Sequence, residues 1–207
     1  MTQTKTPPRS LPTLAATLAL VTALSTSCTT PAPTTTPSTP SPTFACTPEA
    51  GGSPYPCSSA DYQEMKRKDA LYAEAEQVFR RLIAEDERVA RIGGSDELTP
   101  EYKALLGSPE LQKQQLEVLK SSKRDRVIGT GGSFVLSWVR RVPGISVEGS
   151  AVRMRACVDM TSVTFSERGK VVGPGIVVEE TADFQSTEGR LRVWTFEYKV
   201  VPSCAAS

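Results

Sequence analysis

The period at which apolar residues recur changes once along this chain, near Val127, and that change constrains the fold more than any other feature. Before it, Leu71, Tyr72, Ala75, Val78, Phe79, Leu82, Ile83, Val89 and Ile92 recur at three and four positions, the spacing of one buried helix face. After it, runs at Ser133 to Val142, Ala151 to Met160, Ser162 to Ser166, Ile176 to Gln185 and Arg190 to Val201 are rich in Val, Phe, Trp and Thr and are divided by Gly or Pro turns. Helices followed by strands place the chain in the α+β class, with one long helix and two shorter ones packed on a curved, largely antiparallel sheet.

The helix boundaries are written in capping chemistry. Ser59 or Asp61 caps the long helix, which runs to Ile92 and stops at Gly93-Gly94. Its outer face carries Glu64 with Lys68, Glu76 with Arg80 and Glu87 with Arg91, each an acid four residues ahead of a base. Thr99-Pro100-Glu101 and Ser108-Pro109-Glu110 start two more helices, since proline is favoured at the first helical position. The first stops near Gly107, and the second extends to about Ser122 with Leu111, Leu116 and Leu119 inward. In the strand region, Glu167-Arg168-Gly169 and Ser186 to Gly189 read as hairpin loops. Val152, Met154, Ala156 and Val158 share one face of their strand, opposite Arg153, Arg155, Cys157 and Asp159. The last strand puts Leu191 and Val193 on one face but Trp194, Phe196, Tyr198 and Val200 on the other, so either both faces are covered or a bulge shifts the phase.

The first 58 residues belong to no such pattern. Lys5 and Arg9 precede an apolar run of about 14 residues, Leu11 to Leu24, followed by small residues, which is the order of a bacterial export signal. The run is shorter than the roughly 20 residues of a membrane-spanning helix. Leu24-Ser25-Thr26-Ser27-Cys28 resembles the lipobox of bacterial lipoproteins, in which the cysteine becomes the lipidated mature N-terminus; here Leu stands one place earlier than usual, and cleavage after Ser25 or Ser27 is the alternative, giving a secreted protein. From Thr29 to Thr43 every residue except Ala32 is Thr, Pro or Ser, a composition with nothing to bury. In extended polyproline geometry its 15 residues span roughly 45 Å. The layout is then a signal over 1–27, a disordered tether with a small cysteine loop over 28–58, and one domain over 59–207.

With Cys28 assigned to an anchor, Cys46, Cys57, Cys157 and Cys204 remain as a disulfide framework suited to an exported chain. Three pairings are open; Cys46 with Cys57 and Cys157 with Cys204 is favoured, because the first two bracket a turn-rich loop and the others lie among strands. The chain contains no His and no CxxC spacing, which removes imidazole-dependent catalysis and most zinc sites. No metal and no cofactor are expected. Removing Lys5 and Arg9 from 24 basic residues leaves 22 against 23 acidic, a balance that gives no reason to expect nucleic acid. The basic clusters Lys66 to Lys68, Lys120 to Arg126 and Arg140-Arg141 read as solvated surface. Gly129-Thr130-Gly131-Gly132-Ser133 lacks the lysine and the helix of a phosphate cradle and reads as a turn.

Long helix, two smaller helices and then a curved antiparallel sheet is an order that resembles the NTF2-like, cone-shaped α+β fold. The chain also resembles a family of actinobacterial cell-envelope lipoproteins, through Asp69-Ala70-Leu71-Tyr72, Arg155-Ala156-Cys157-Val158-Asp159 with Val163-Thr164, and Pro202-Ser203-Cys204. The resemblance implies an exported accessory domain on the outer face of the cell membrane and supplies no catalytic residues. Expected from it is a non-enzymatic lipoprotein, held to the membrane through Cys28, that binds a protein partner or a small apolar ligand. NTF2-like domains also include isomerases and cyclases with an Asp base and a Tyr donor, for which Asp159, Asp183, Tyr198 and Trp194 are the residues to inspect, and they serve in conjugation or secretion assemblies. A buried carboxyl beside an aromatic ring is what would favour the enzyme.

Overall fold

Helix α1 (Ser59–Ile92) forms because a capping box closes its first turn and one stripe of its surface is apolar. The cap is Ser58, one residue before the expected position: its hydroxyl accepts from the Asp61 amide and the Asp61 carboxylate accepts from the Ser58 amide. At the other end Gly93 adopts a left-handed conformation and donates to Val89. Gly94 is also left-handed, and a Cβ there would press into the Leu119 carbonyl and Lys123 amide of the third helix. Two glycines are therefore needed, one to end α1 and one to let another helix backbone close on it. Ile92, expected on the buried face, is exposed in the last turn.

The structure, a computed structural model, describes residues 43–144, 147 and 149–205. The chain divides between Pro40 and Ser41, and all described residues lie on the C-terminal side. Cys28 and the signal and tether readings lie outside the described residues. The architecture is α+β. Helices α2 (Pro100–Leu105) and α3 (Pro109–Asp125) begin at caps Thr99 and Ser108, as their sequences indicate, and α3 runs three residues past Ser122. Among the described residues no helix is long and apolar enough to cross a membrane.

The strands of the described residues form three antiparallel sheets. Between Cys46 and Cys57, where the sequence suggested only turns, β1 (Phe44–Cys46) and β2 (Tyr55–Cys57) make a hairpin closed by a Cys46–Cys57 disulfide. It packs on α1: the Phe44 and Tyr62 rings lie 5.1 Å apart, and the Tyr72 hydroxyl donates to Glu49. Glu49 also draws Lys68, 3.6 Å away, so Glu64 pairs with Arg67 in place of the expected Lys68. A second sheet joins β3 (Ile128–Thr130), β6 (Thr164–Glu167) and β7 (Lys170–Pro174), of which β3 and β7 had no clear signature.

The principal sheet has the order β4 (Val135–Arg141), β5 (Val152–Asp159), β8 (Val177–Thr187) and β9 (Arg190–Val201). Register fixes its faces. Val152, Met154, Ala156 and Val158 stand opposite Phe184, Ala182, Glu180 and Val178, and together they form the inner face, toward α1. On β9 the pairing jumps from Asp183 with Thr195 to Phe184 with Val193, leaving Trp194 as a bulge. The bulge resolves the sequence's broken alternation: Leu191, Val193, Phe196, Tyr198 and Val200 all share the inner face. Phe79 of α1 anchors this layer, its ring 6.4 Å from those of both Phe184 and Phe196.

The outer face carries the second disulfide, Cys157–Cys204, which lays the C-terminal tail across the strands. There Trp138 donates from Nε1 to the Cys204 carbonyl at 3.0 Å, with the Arg140 guanidinium 4.5 Å from its ring centre. In the chain-entropy picture, stabilisation by a disulfide grows with the loop it closes. Replacing Cys157 and Cys204 by Ala, which opens a separation of 47 residues, is expected to cost about 4 kcal/mol. The same change at Cys46 and Cys57, separated by 11, is expected to cost about 3 kcal/mol. Urea denaturation of the two double variants measures the difference, and the reverse order would contradict the entropic account.

Candidate functional site

The four residues singled out from sequence occupy separate places. Asp159 accepts from the Thr161 amide at 2.9 Å and its hydroxyl at 2.6 Å, which closes the turn after β5 and holds the carboxyl below its usual range. Asp183 is fully buried on the outer face. Burial opposes its charge, but Arg153 at 2.7 and 3.0 Å, the Thr195 hydroxyl at 2.7 Å and the Val147 amide more than compensate, and its pKa stays low. Trp194 borders a surface groove of about 430 Å3 with Ser108, Leu111 and Phe196. Tyr198 stands exposed on the inner face. The aspartates are thus a turn and an ion pair, and the basic clusters are paired with acids: Lys123 with Asp96, Arg124 with Asp125 and Arg141 with Asp69. Gly132 meets Arg91, which donates to its carbonyl at 2.7 Å.

The inner layer holds a different set, missed by the sequence reading: Asp86, Tyr102 and Glu180. Asp86 lies on the buried stripe of α1, four residues after Leu82 and three before Val89. Its Oδ1 accepts a hydrogen bond from the Tyr102 hydroxyl of α2 at 2.5 Å, and Tyr102 is 1 % exposed. Glu180 lies on β8 between Val178 and Ala182 on the inner face and is 7 % exposed. Its Oε2 has no hydrogen-bond partner. Beside Asp86, Glu85 is also buried but is held by Arg88 at 2.7 Å and by the Thr99 hydroxyl; the Arg88 hydrogen bond is the main reason its pKa stays low.

These environments separate the acids. Burial pushes the Glu180 carboxyl up from 4.5 to about 8, and the Asp86 charge adds to the rise. Burial likewise pushes Asp86 up to about 7, with the Tyr102 hydrogen bond opposing and Glu85 reinforcing. Tyr102 is raised by burial and then by the Asp86 charge beneath it. Among the described residues no Lys or Arg acts on Glu180 or Asp86. The pair therefore exchanges protons near neutral pH, where ordinary carboxylates are ionised. When protonated it can donate a hydrogen bond, and when ionised it presents uncompensated negative charge.

The surroundings are half open. Opposite Glu180, Tyr198 is 68 % exposed, and Val200, opposite Val178, is also uncovered. Facing residues on one side of an antiparallel pair have Cβ atoms about 5 Å apart, so the Tyr198 ring is within reach of the Glu180 carboxyl. Phe196, next in this row, also borders the groove beside α3. Among the described residues no three acids or cysteines lie close enough to hold a metal ion.

Both signals were present in the sequence. Asp86 keeps the three-and-four spacing of the α1 stripe, and Glu180 has the parity of Val178, Ala182 and Phe184. A reading that collects only apolar residues skips them.

Glu180 titrates with a stability consequence of definite sign. Below about pH 4.5 the carboxyl is neutral in both folded and unfolded chains; as pH rises toward about 8 the unfolded chain ionises freely and the folded one does not, so stability falls across that window. Glu180→Gln removes the titration while keeping the shape. It is expected to raise stability by about 2 kcal/mol at pH 8.5 and to change it little at pH 5. Thermal melts at the two pH values measure this; equal shifts would show that Glu180 ionises normally. No family model, curated protein or solved structure matches the chain.

Proposed function

We propose that this chain is an extracytoplasmic lipoprotein, anchored through Cys28 and carried on its Thr/Pro/Ser tether, whose NTF2-like domain binds a small, partly apolar ligand without transforming it. Two disulfides fit an oxidising compartment. The observation that carries the binding reading is the Glu180 carboxyl, buried yet lacking a partner at Oε2, directly beside the uncovered Tyr198 and Val200. Leaving a buried polar atom unsatisfied costs about 1 to 3 kcal/mol, which a ligand supplying that partner recovers. The apolar side chains beside it provide a surface for the rest of such a ligand.

A second reading rests on the Tyr102–Asp86 hydrogen bond next to Glu180. Acids tuned toward neutral pH are what general acid–base catalysis requires, and an isomerase or cyclase would use Asp86 as its base. The binding reading is preferred because Tyr102 is buried and already donates to Asp86, which leaves its hydroxyl committed within the protein.

Two measurements test the proposal. Mass spectrometry of the native protein is expected to find a mature N-terminus at Cys28 bearing a diacylglyceryl group; an unmodified terminus elsewhere would overturn the anchor. Nile red, a neutral apolar dye, is expected to bind the full-length protein saturably, and Tyr198→Ala to weaken that binding at least fivefold. Binding that is unsaturable, or indifferent to Tyr198, would overturn the site.

A further inference from the structure

The inner face of the sheet has a chemistry more specific than apolar. Around Glu180 the polar groups are Asp86 and Glu85 from α1, Tyr102 from α2 with the Gln115 side chain of α3 hydrogen-bonded to it, and Tyr198 from β9, while β5 contributes Ala156 opposite Glu180; Arg141, also on this face, is taken up by Asp69. Glu85 is neutralised by Arg88, and Asp86 has one oxygen engaged by Tyr102. What remains is a pair of carboxyls on which no cation among the described residues acts, an oxygen at Glu180 Oε2 that nothing meets, and an exposed aromatic ring in the facing position.

We propose that this face binds a monovalent organic cation, an ammonium group on an apolar body, with the ammonium held by Glu180 and Asp86 and the body lying along Phe196, Tyr198 and Val200. The inference rests on the ligand-binding reading above and narrows its ligand class. An ammonium presents several N–H donors to the Glu180 and Asp86 oxygens, and its charge provides what the fold withholds from them. The Tyr198 ring adds attraction for a cation, and the uncovered valine accepts apolar surface. A bare metal ion fits less well, because among the described residues no three acids or thiols are grouped to hold one, and Glu85 is taken up by Arg88. Among the described residues an anion would find no Lys or Arg acting at Glu180 or Asp86 to hold it. A neutral ligand with an acceptor would need Glu180 to stay protonated, and its binding would weaken as pH rises; a cation displaces the protons that Asp86 and Glu180 hold near neutral pH, so its binding strengthens.

The test uses 2-phenylethylammonium and its neutral counterpart 2-phenylethanol, titrated into the full-length protein and followed by calorimetry at pH 5.5 and 8.5. The amine keeps its charge over this range, since alkylammonium groups titrate near pH 10, so any change in affinity comes from the protein. The ammonium is expected to bind at least tenfold more tightly at pH 8.5 than at pH 5.5, and the alcohol to bind weakly at both. Glu180→Gln should reduce ammonium affinity at pH 8.5 at least tenfold and flatten its pH dependence, with Asp86→Asn as a second variant should the first lose its fold. Equal binding of the alcohol, ammonium binding untouched by both variants, or no ammonium binding overturns the assignment. Should Nile red still bind and respond to Tyr198→Ala, only the cation is refuted and the apolar site survives. Should neither probe bind, both readings fall together.

Discussion

The inner layer depends on one constraint: a 34-residue helix must bury a single stripe against a four-stranded sheet, and the stripe and the sheet must agree in phase. Phe79 meets Phe184 and Phe196 at the centre of that contact. Phe196 reaches it only because Trp194 is bulged; without the extra residue, Phe196, Tyr198 and Val200 would point to the outer face, among the ion pairs of Arg155, Glu179 and Lys199. One irregular residue thus sets which half of β9 is apolar on the inside. The same phase delivers Tyr198 to the side of Glu180.

Much of this was legible in the sequence, for reasons that differ by element. The three helices are specified by short-range chemistry, an oxygen-bearing cap with proline or an acid behind it, and their starts fall within a residue or two of expectation. The two β-hairpin turns place Arg168-Gly169 and Glu188-Gly189 in left-handed geometry, which suits the twist of the strands they join. The phase break in β9 was visible as a choice between two causes, and only the pairing register decides it. By contrast β1, β2 and β3 have three residues each and β7 ends in Gly173-Pro174, so no alternation has room to develop. For β3 the partner is also distant in the chain, β6, and local propensity carries no record of it.

The candidate site was illegible for the opposite reason. Asp86 and Glu180 sit inside strong patterns and contradict them, and a pattern is normally read by its majority. Places where a local rule is broken without an evident structural compensation are where function is most often found. Glu85 shows that this fold supplies compensation when it serves stability, for its burial is matched by Arg88 and Thr99 within two turns or one loop. Asp86, its immediate neighbour, receives only a phenol.

Strand β8 makes the same comparison within three residues. Asp183 points outward and is fully buried, with a guanidinium, a hydroxyl and a backbone amide arranged around it. Glu180 points inward, is nearly as buried, and has one oxygen with no partner. A buried carboxylate that is paired and hydrogen-bonded holds its charge, whereas one left alone gives the charge up. Both outcomes occur on one strand of one domain, so the absence of a partner at Glu180 is not a general property of the sheet. It is local to the inner face, at the point where Tyr198 and Val200 leave the surface uncovered, and a partner arriving from outside the chain would meet the carboxyl there.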